Sequence, residues 1–230
     1  TQPAPSAPPH RKRRNPSPTQ PDDERSRLEK LSIPQYHALV ESTVNPLQVT
    51  PTLIDGLVVL YVKRVHEGRG EIRELYRASA YCDIGIGVSS WAQVNLTRTV
   101  YGAVRGLHAE NMCKLVTVAH GEVFGVYVDV REQSPTFGNV FYRSIVPGVQ
   151  VFVPRGVCNG FQVVSQEGAE YLYMFDIEWK SGMPGRALTP LDESLGIPWP
   201  IPIDPLNRTQ ISEKDAAAPT LQDLHSELSK

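Results

Sequence analysis

Residues 148–165 read GVQVFVPRGVCNGFQVVS. Val149, Val151 and Val153 alternate with Gln150 and Phe152, the period of two that a strand imposes by pointing successive side chains to opposite faces. Pro154-Arg155-Gly156 then ends the run, since proline fixes φ and glycine permits a tight reversal. The same character extends outward through TLIDGLVVLYVKRV (52–65), WAQVNLTRTVYGAVRGL (91–107), KLVTVAHGEVFGVYVDVR (114–131) and VFYRSIVPGVQVFVPRG (140–156). Each run is rich in β-branched and aromatic residues and is punctuated by Gly and Pro. Short strands at near-regular spacing, with no helical pattern between them, predict an all-β sandwich or barrel.

Composition sets the limits of that domain. With 40% hydrophobic and 21% charged residues, the 230-residue chain has material for a real core. Twenty prolines and seventeen glycines exclude a helical bundle. A formal net charge of −2 offers no basic field for nucleic acid. No apolar run approaches the ~20 residues that span a bilayer, and the polar N-terminal stretch TQPAPSAPPHRKRR has no secretory apolar region. The expectation is a cytoplasmic protein that binds neither nucleic acid nor membrane.

Seven prolines fall within residues 1–30, beside the basic run Arg11–Arg14 and the acidic Asp22-Asp23-Glu24. That segment has too little to bury to offset its ordering entropy. Residues 1–45 are therefore expected to be a disordered extension, with Arg11–Arg14 a solvated tail, and residues 46–230 the folded domain. A short helix is compatible with residues 35–43, between Pro34 and Pro46. After Trp179 the chain turns proline-rich through GIPWPIPIDP (196–205) and closes with a helix LQDLHSEL behind Pro219-Thr220. Cys82, Cys113 and Cys158 have no metal-type spacing and are expected as reduced thiols packed as small hydrophobes.

The stretch Gly148–Asn159 fits the second of two cupin patterns, with Asn159 in the slot that usually holds histidine. Where the first pattern needs two histidines and a glutamate, Arg105-Gly106-Leu107-His108-Ala109-Glu110 supplies one histidine. Metal cupins need three or four His and carboxylate ligands, so no metal is expected. At this point the chain resembles the dTDP-4-dehydrorhamnose 3,5-epimerases, cupins that work without metal. The resemblance runs from Thr52 to Leu224. It rests on Arg105-Gly106-Leu107-His108, Lys114-Leu115-Val116, Gly121-Glu122-Val123-Phe124 and Arg131-x-x-Ser134-Pro135-Thr136-Phe137-Gly138. Pro154-Arg155-Gly156, Leu172-Tyr173, Leu195-Gly196-Ile197-x-Trp199-Pro200 and Ser212-Glu213-Lys214-Asp215 follow in order. It implies an all-β, cupin-type double-stranded β-helix (jelly-roll) barrel with a few short helices, no cofactor, and a homodimer that exchanges an N-terminal strand, a role suited to residues 52–65.

The resemblance also implies a chemistry. Such enzymes invert stereocentres beside the ketone of a nucleotide-linked 4-keto-6-deoxyhexose, whose C3 and C5 hydrogens are acidic because the C4 carbonyl takes up charge as an enolate. That needs a base on one face, a cation at the enolate oxygen and an acid on the other face. His108 matches the base, and imidazole suits proton abstraction near neutral pH. Asp215 matches the carboxylate that orients it, and Asp215-Ala-Ala-Ala also reads as a helix start capped by the aspartate. Lys114 matches the cation, and Tyr173 the acid, a phenol that stays protonated at neutral pH; Tyr173 also reads as a core tyrosine between Tyr171 and Phe175. For substrate binding the resemblance implies Arg69, Glu74, Gln93, Asn95, Arg105, Asn159 and Lys214. Gln93 and Asn95, one residue apart, share a strand face.

Three departures accompany the match: Asn159 in the histidine slot, Gly125 where aspartate is usual, and Met174–Trp179 with the loop 181–185 in place of threonines, paired tyrosines and a glutamate. They leave open a 3-monoepimerase or a 3,4-ketoisomerase, and a non-catalytic cupin that only binds sugar nucleotides.

Overall fold

The computed structural model describes residues 43–88 and 90–228. The tail expected to be disordered and the helix expected over 35–43 lie outside these residues, except at their ends. Thr43–Asn45 is a strand, β1, so ordered pairing starts before the expected boundary at residue 46. The chain continues through β2 (Gln48–Pro51), β3 (Val58–Tyr61), β4 (Lys63–Glu67), β5 (Gly70–Glu74), helix α1 (Ala78–Asp83), β6 (Gln93–Thr99) and β7 (Val104–Glu110). Then come β8 (Lys114–His120), β9 (Val123–Asp129), β10 (Val140–Ile145), β11 (Val149–Val153), β12 (Val157–Val163), β13 (Ala169–Phe175) and β14 (Gly185–Ala187). Two helices, α2 (Glu213–Ala216) and α3 (Leu221–Leu228), close the fold. None of the described helices is long and apolar enough to cross a membrane.

Two antiparallel sheets form the jelly-roll barrel. One has the order β10-β9-β12-β7-β14 and the other β2-β3-β11-β8-β13-β6. Residues 148–165 tie them together, because β11 lies in the second sheet and β12 in the first. The turn is made at Pro154–Gly156, where Gly156 takes a φ of +78° and Val157 N–H donates to Pro154 C=O. In this chain β3 pairs with β11 of the same chain, over part of the run expected to be exchanged.

Alternation along each strand builds three apolar layers. Val116, Val118, Tyr127, Val151, Phe161 and Tyr171 fill the space between the sheets. Val126, Val128, Leu107 and Cys158 point the other way, under Leu188, Leu195 and Leu224 of the C-terminal segment. Leu115 and Met174 face outward beneath Tyr81 of α1, a helix the strand spacing did not anticipate. Tyr81 also donates to the buried Gln150 side chain at 2.5 Å, so α1 both covers the sheet and satisfies a polar group inside it. Each fully buried Val or Leu contributes about 1.5–3 kcal/mol. Among the cysteines Cys158 alone is buried, Cys113 is half-buried and Cys82 exposed, so only one thiol packs as a small hydrophobe.

The Arg131–Gly138 signature proves to be structural. Asp129, fully buried at the end of β9, accepts from the Arg131 backbone and guanidinium, Ser134 Oγ and Thr136 Oγ1. Burial alone would raise its carboxyl, but these donors outweigh it and hold the group at about 2. Gly125 also finds its reason: a Cβ there would sit 3.1 Å from the Tyr127 hydroxyl, which fills the space two residues along the same face. Thr220 caps α3 by exchanging hydrogen bonds with Asp223, as Pro219-Thr220 predicted.

Candidate active site

A cavity of about 570 Å³ opens between the two sheets. Its walls come from inward positions of β6, β7, β8, β12 and β13, with α2 at one side.

One irregularity in β7 organises the site. His108 pairs with Asn159 of β12 and Arg105 with Phe161, so three steps on β7 oppose two on β12. In a regular strand, residues three apart face opposite sides; this bulge absorbs the extra residue, and both His108 and Arg105 line the cavity. Gly106 makes the bulge possible. Its φ is +106°, and a Cβ there would lie 2.7 Å from both Asn159 O and Gly160 Cα.

His108 Nε2–H donates to Asp215 Oδ1 at 2.7 Å, and Asp215 Oδ2 accepts from Gly106 N–H at 3.4 Å. The bulge and the histidine therefore meet on one carboxylate. Burial alone would raise that carboxyl, but His108, Ser212 and Gly106 together hold it below its usual range. The carboxylate is an acceptor only, so it fixes the proton on Nε2 and leaves Nδ1 as the ring's basic nitrogen. Ser212, not Asp215, caps α2: its side chain accepts from Asp215 N–H at 3.0 Å, which frees the aspartate for the histidine.

Lys114 starts β8 and is nearly buried. Its Nζ lies 2.5 Å from Glu110, donates to Asn159 Oδ1 at 2.6 Å and reaches His108 C=O at 3.2 Å. Burial would raise the Glu110 carboxyl, and the Lys114 ammonium more than offsets it, so Glu110 is held ionised. On the same sheet as Lys114, and across the cavity from His108, Tyr173 is half-buried with its hydroxyl 3.2 Å from Thr97 Oγ1. Gln93, whose amide donates to Asn95 at 3.1 Å, and Asn95 lie on the same inward face, and Lys214 completes one rim.

Arg69 and Glu74 do not line this chain's cavity. Both belong to the β4–β5 hairpin, which pairs with β1 in a separate three-stranded sheet. Arg69 is exposed at the hairpin turn and pairs with Glu67 at 2.7 Å, while Glu74 holds Arg77. Other cavity residues escaped the sequence reasoning: Thr97, Glu110, Phe161, Tyr171 and Ser212. Four of them stand two positions from an expected site residue on the same strand, so alternation was the signal that would have found them. Trp179 comes from the divergent 174–185 segment and is tied to the site by its N–H, which donates to Gln93 at 2.8 Å. Among the described residues no three His, Cys, Asp or Glu side chains converge as metal ligands would.

The dTDP-4-dehydrorhamnose 3,5-epimerase family model matches residues 51–223. The chain belongs to this family. An epimerase of that name from Salmonella typhimurium is 35% identical over 179 residues, covering 75% of this chain and 94% of the relative. The dTDP-6-deoxy-D-glucose-3,5-epimerase of Legionella pneumophila, solved with dTDP-4-keto-L-rhamnose, superposes with a TM-score of 0.71 at 32% identity. That match covers 80% of this chain and 97% of the relative. ChmJ, a 3'-monoepimerase from Streptomyces bikiniensis solved with dTDP-quinovose, superposes with a TM-score of 0.69 at 28% identity, over 78% and 90% of the two chains. The family's cupin-type barrel is thus the fold of this protein, and its members are isomerases.

Proposed function

We propose that the protein epimerises C3 and C5 of a nucleotide-linked 4-keto-6-deoxyhexose, such as dTDP-4-keto-6-deoxyglucose, through an enolate. The observation that carries this is the placement of His108–Asp215 and Tyr173 on opposite sheets of one cavity, with the Lys114 ammonium beside the histidine.

Neutral His108 takes the proton from carbon, and Asp215 stabilises the imidazolium that results. Negative charge moves to the C4 oxygen, which the ammonium of Lys114 stabilises in a partly buried site where such a charge counts for more than in water. Tyr173 returns a proton on the other face and inverts the centre. Gln93, Asn95, Arg105 and Lys214 supply donors for the sugar and phosphates, and the Arg105 guanidinium suits a phosphate oxygen pair. Asn159 holds Lys114 in place.

Inversion at C3 alone is the second reading, favoured by the likeness to the 3'-monoepimerase. NMR of the protein with dTDP-4-keto-6-deoxyglucose in D₂O tests both. Deuterium at C3 and C5, lost in His108→Ala, is expected; deuterium at C3 alone selects the second reading, and binding without exchange refutes both.

We infer a homodimer as well. Edge strand β6 exposes Val94 and Leu96, and the three-stranded sheet exposes Val44 and Ile72, apolar surface that a second copy would cover. In such a pair Arg69 and Glu74 have a route to the partner's substrate. A sedimentation mass near 25.5 kDa would refute it. Three free cysteines, one of them exposed, suit a reducing compartment, in keeping with the cytoplasm.

A further inference from the structure

Two phenols project into the cavity from β13, Tyr171 and Tyr173, with ring centroids 6.0 Å apart. Their environments differ. Tyr171 is buried, stacks on Phe161 at 4.0 Å, and its hydroxyl faces the Asn159 side chain of β12 without a well-aligned hydrogen bond. Tyr173 is half-buried, and its hydroxyl lies 3.2 Å from Thr97 Oγ1, its one partner among them. Thr97 stands on β6, where Gln93, Asn95 and Thr97 turn inward while Val94, Leu96 and Arg98 face out. A β-branched side chain in a strand has few rotamers, so the backbone of β6 fixes where that hydroxyl sits.

We propose that Thr97 is a positioning residue for the proton donor, selecting Tyr173 over its neighbour; this rests on the reading of Tyr173 as the acid. Thr97 donates to the phenolic oxygen, which leaves the phenol's own O–H free to turn toward the substrate. In the step itself the Tyr173 O–H bond breaks as the new C–H bond forms at the carbanion. The O–H electron pair stays on the phenolate, which the Thr97 hydroxyl stabilises until solvent returns the proton. Thr97 takes no part in proton abstraction, which belongs to His108 on the opposite sheet.

This separates two observables. Abstraction by His108 followed by return of a solvent deuteron from the same side gives exchange with retention, whereas delivery by Tyr173 gives inversion. Thr97→Val keeps the branched shape and removes the hydroxyl. In D₂O with dTDP-4-keto-6-deoxyglucose, the variant is expected to exchange at C3 at close to the wild-type rate. Its inversion should fall about tenfold, the scale of one hydrogen bond to a developing charge. The ratio of exchange to inversion therefore rises about tenfold, and Thr97→Ser, which restores a hydroxyl, brings it back. A wild-type ratio in Thr97→Val overturns the proposal, and so does an equal loss of exchange and inversion, the mark of a merely structural role. Tyr173→Phe measured alongside tells the two failures apart. If it abolishes inversion while Thr97→Val does not shift the ratio, only the role of Thr97 is wrong; if it inverts normally, the reading of Tyr173 falls and this proposal with it.

Discussion

Asp215→Asn tests the His108–Asp215 pair directly. The aspartate accepts from His108 Nε2 at 2.7 Å and from Gly106 N–H at 3.4 Å. Losing a charge-assisted hydrogen bond to the imidazolium costs about 1.5–3 kcal/mol in the transition state, or about 10- to 150-fold in rate. A second loss follows from the amide's geometry. Asparagine has one accepting and one donating end, and the Gly106 N–H claims the oxygen. The NH₂ then faces Nε2, which must become an acceptor, so the ring proton moves to Nδ1 and the base is in the wrong tautomer. The expected loss is therefore about 10²- to 10⁴-fold, and Asp215→Ala, which imposes no tautomer, should be less impaired than Asp215→Asn. The assay is the rate of solvent deuterium uptake at C3, with thermal melts to exclude unfolding. An Asp215→Asn rate within about threefold of wild type would refute the pairing as a catalytic device. An alanine variant slower than the asparagine variant would refute the tautomer argument.

Other outcomes follow from the same structure. Asp129 is held at about 2 against its ordinary 3.8, so its contribution is fully present above the unfolded value and is lost as pH falls toward the folded one. At about 1.4 kcal/mol for each pH unit the full shift is worth about 2.5 kcal/mol, so urea melts of the wild type should lose about 2 kcal/mol of it between pH 4 and pH 2 through Asp129, and Asp129→Asn should flatten that limb. Lys114→Met should lower deuterium uptake by about 10²- to 10³-fold and destabilise the fold by stranding Glu110; adding Glu110→Gln should recover stability in melts and leave the rate low. Gly106→Ala drives a Cβ to 2.7 Å from the Asn159 carbonyl. It should cost about 3 kcal/mol or more in denaturant unfolding and abolish uptake, because the bulge that aims His108 cannot form.

Period-two alternation was enough to place most strands and the layers they separate. Val149, Val151 and Val153 alternate with Gln150 and Phe152 because adjacent strand side chains must point apart, and no distant contact is needed to see it. The same local rule puts Gln93 with Asn95. Capping of the last helix was equally legible, since Thr220 and Asp223 are three residues apart. Alternation fails where the backbone breaks its own period. Arg105 and His108 read as opposite-facing, and only the mismatch between β7 and β12 turns both inward, a property of two paired strands and not of either alone. His108 and Asp215 stand 107 positions apart, with no local signal of their contact; resemblance suggested the pairing, and the packing of α2 against β7 forms it. Arg69 and Glu74 sit on a two-residue hairpin that is as readable as any other, yet whether a hairpin meets a cavity depends on which sheet it joins. The sequence by itself determined the elements, their inward faces and the residue types available for proton transfer, because these follow from local sterics and side-chain chemistry. The tertiary structure decided which of those residues share the cavity, because that depends on register between strands distant in sequence and on the single glycine that lets one of them slip.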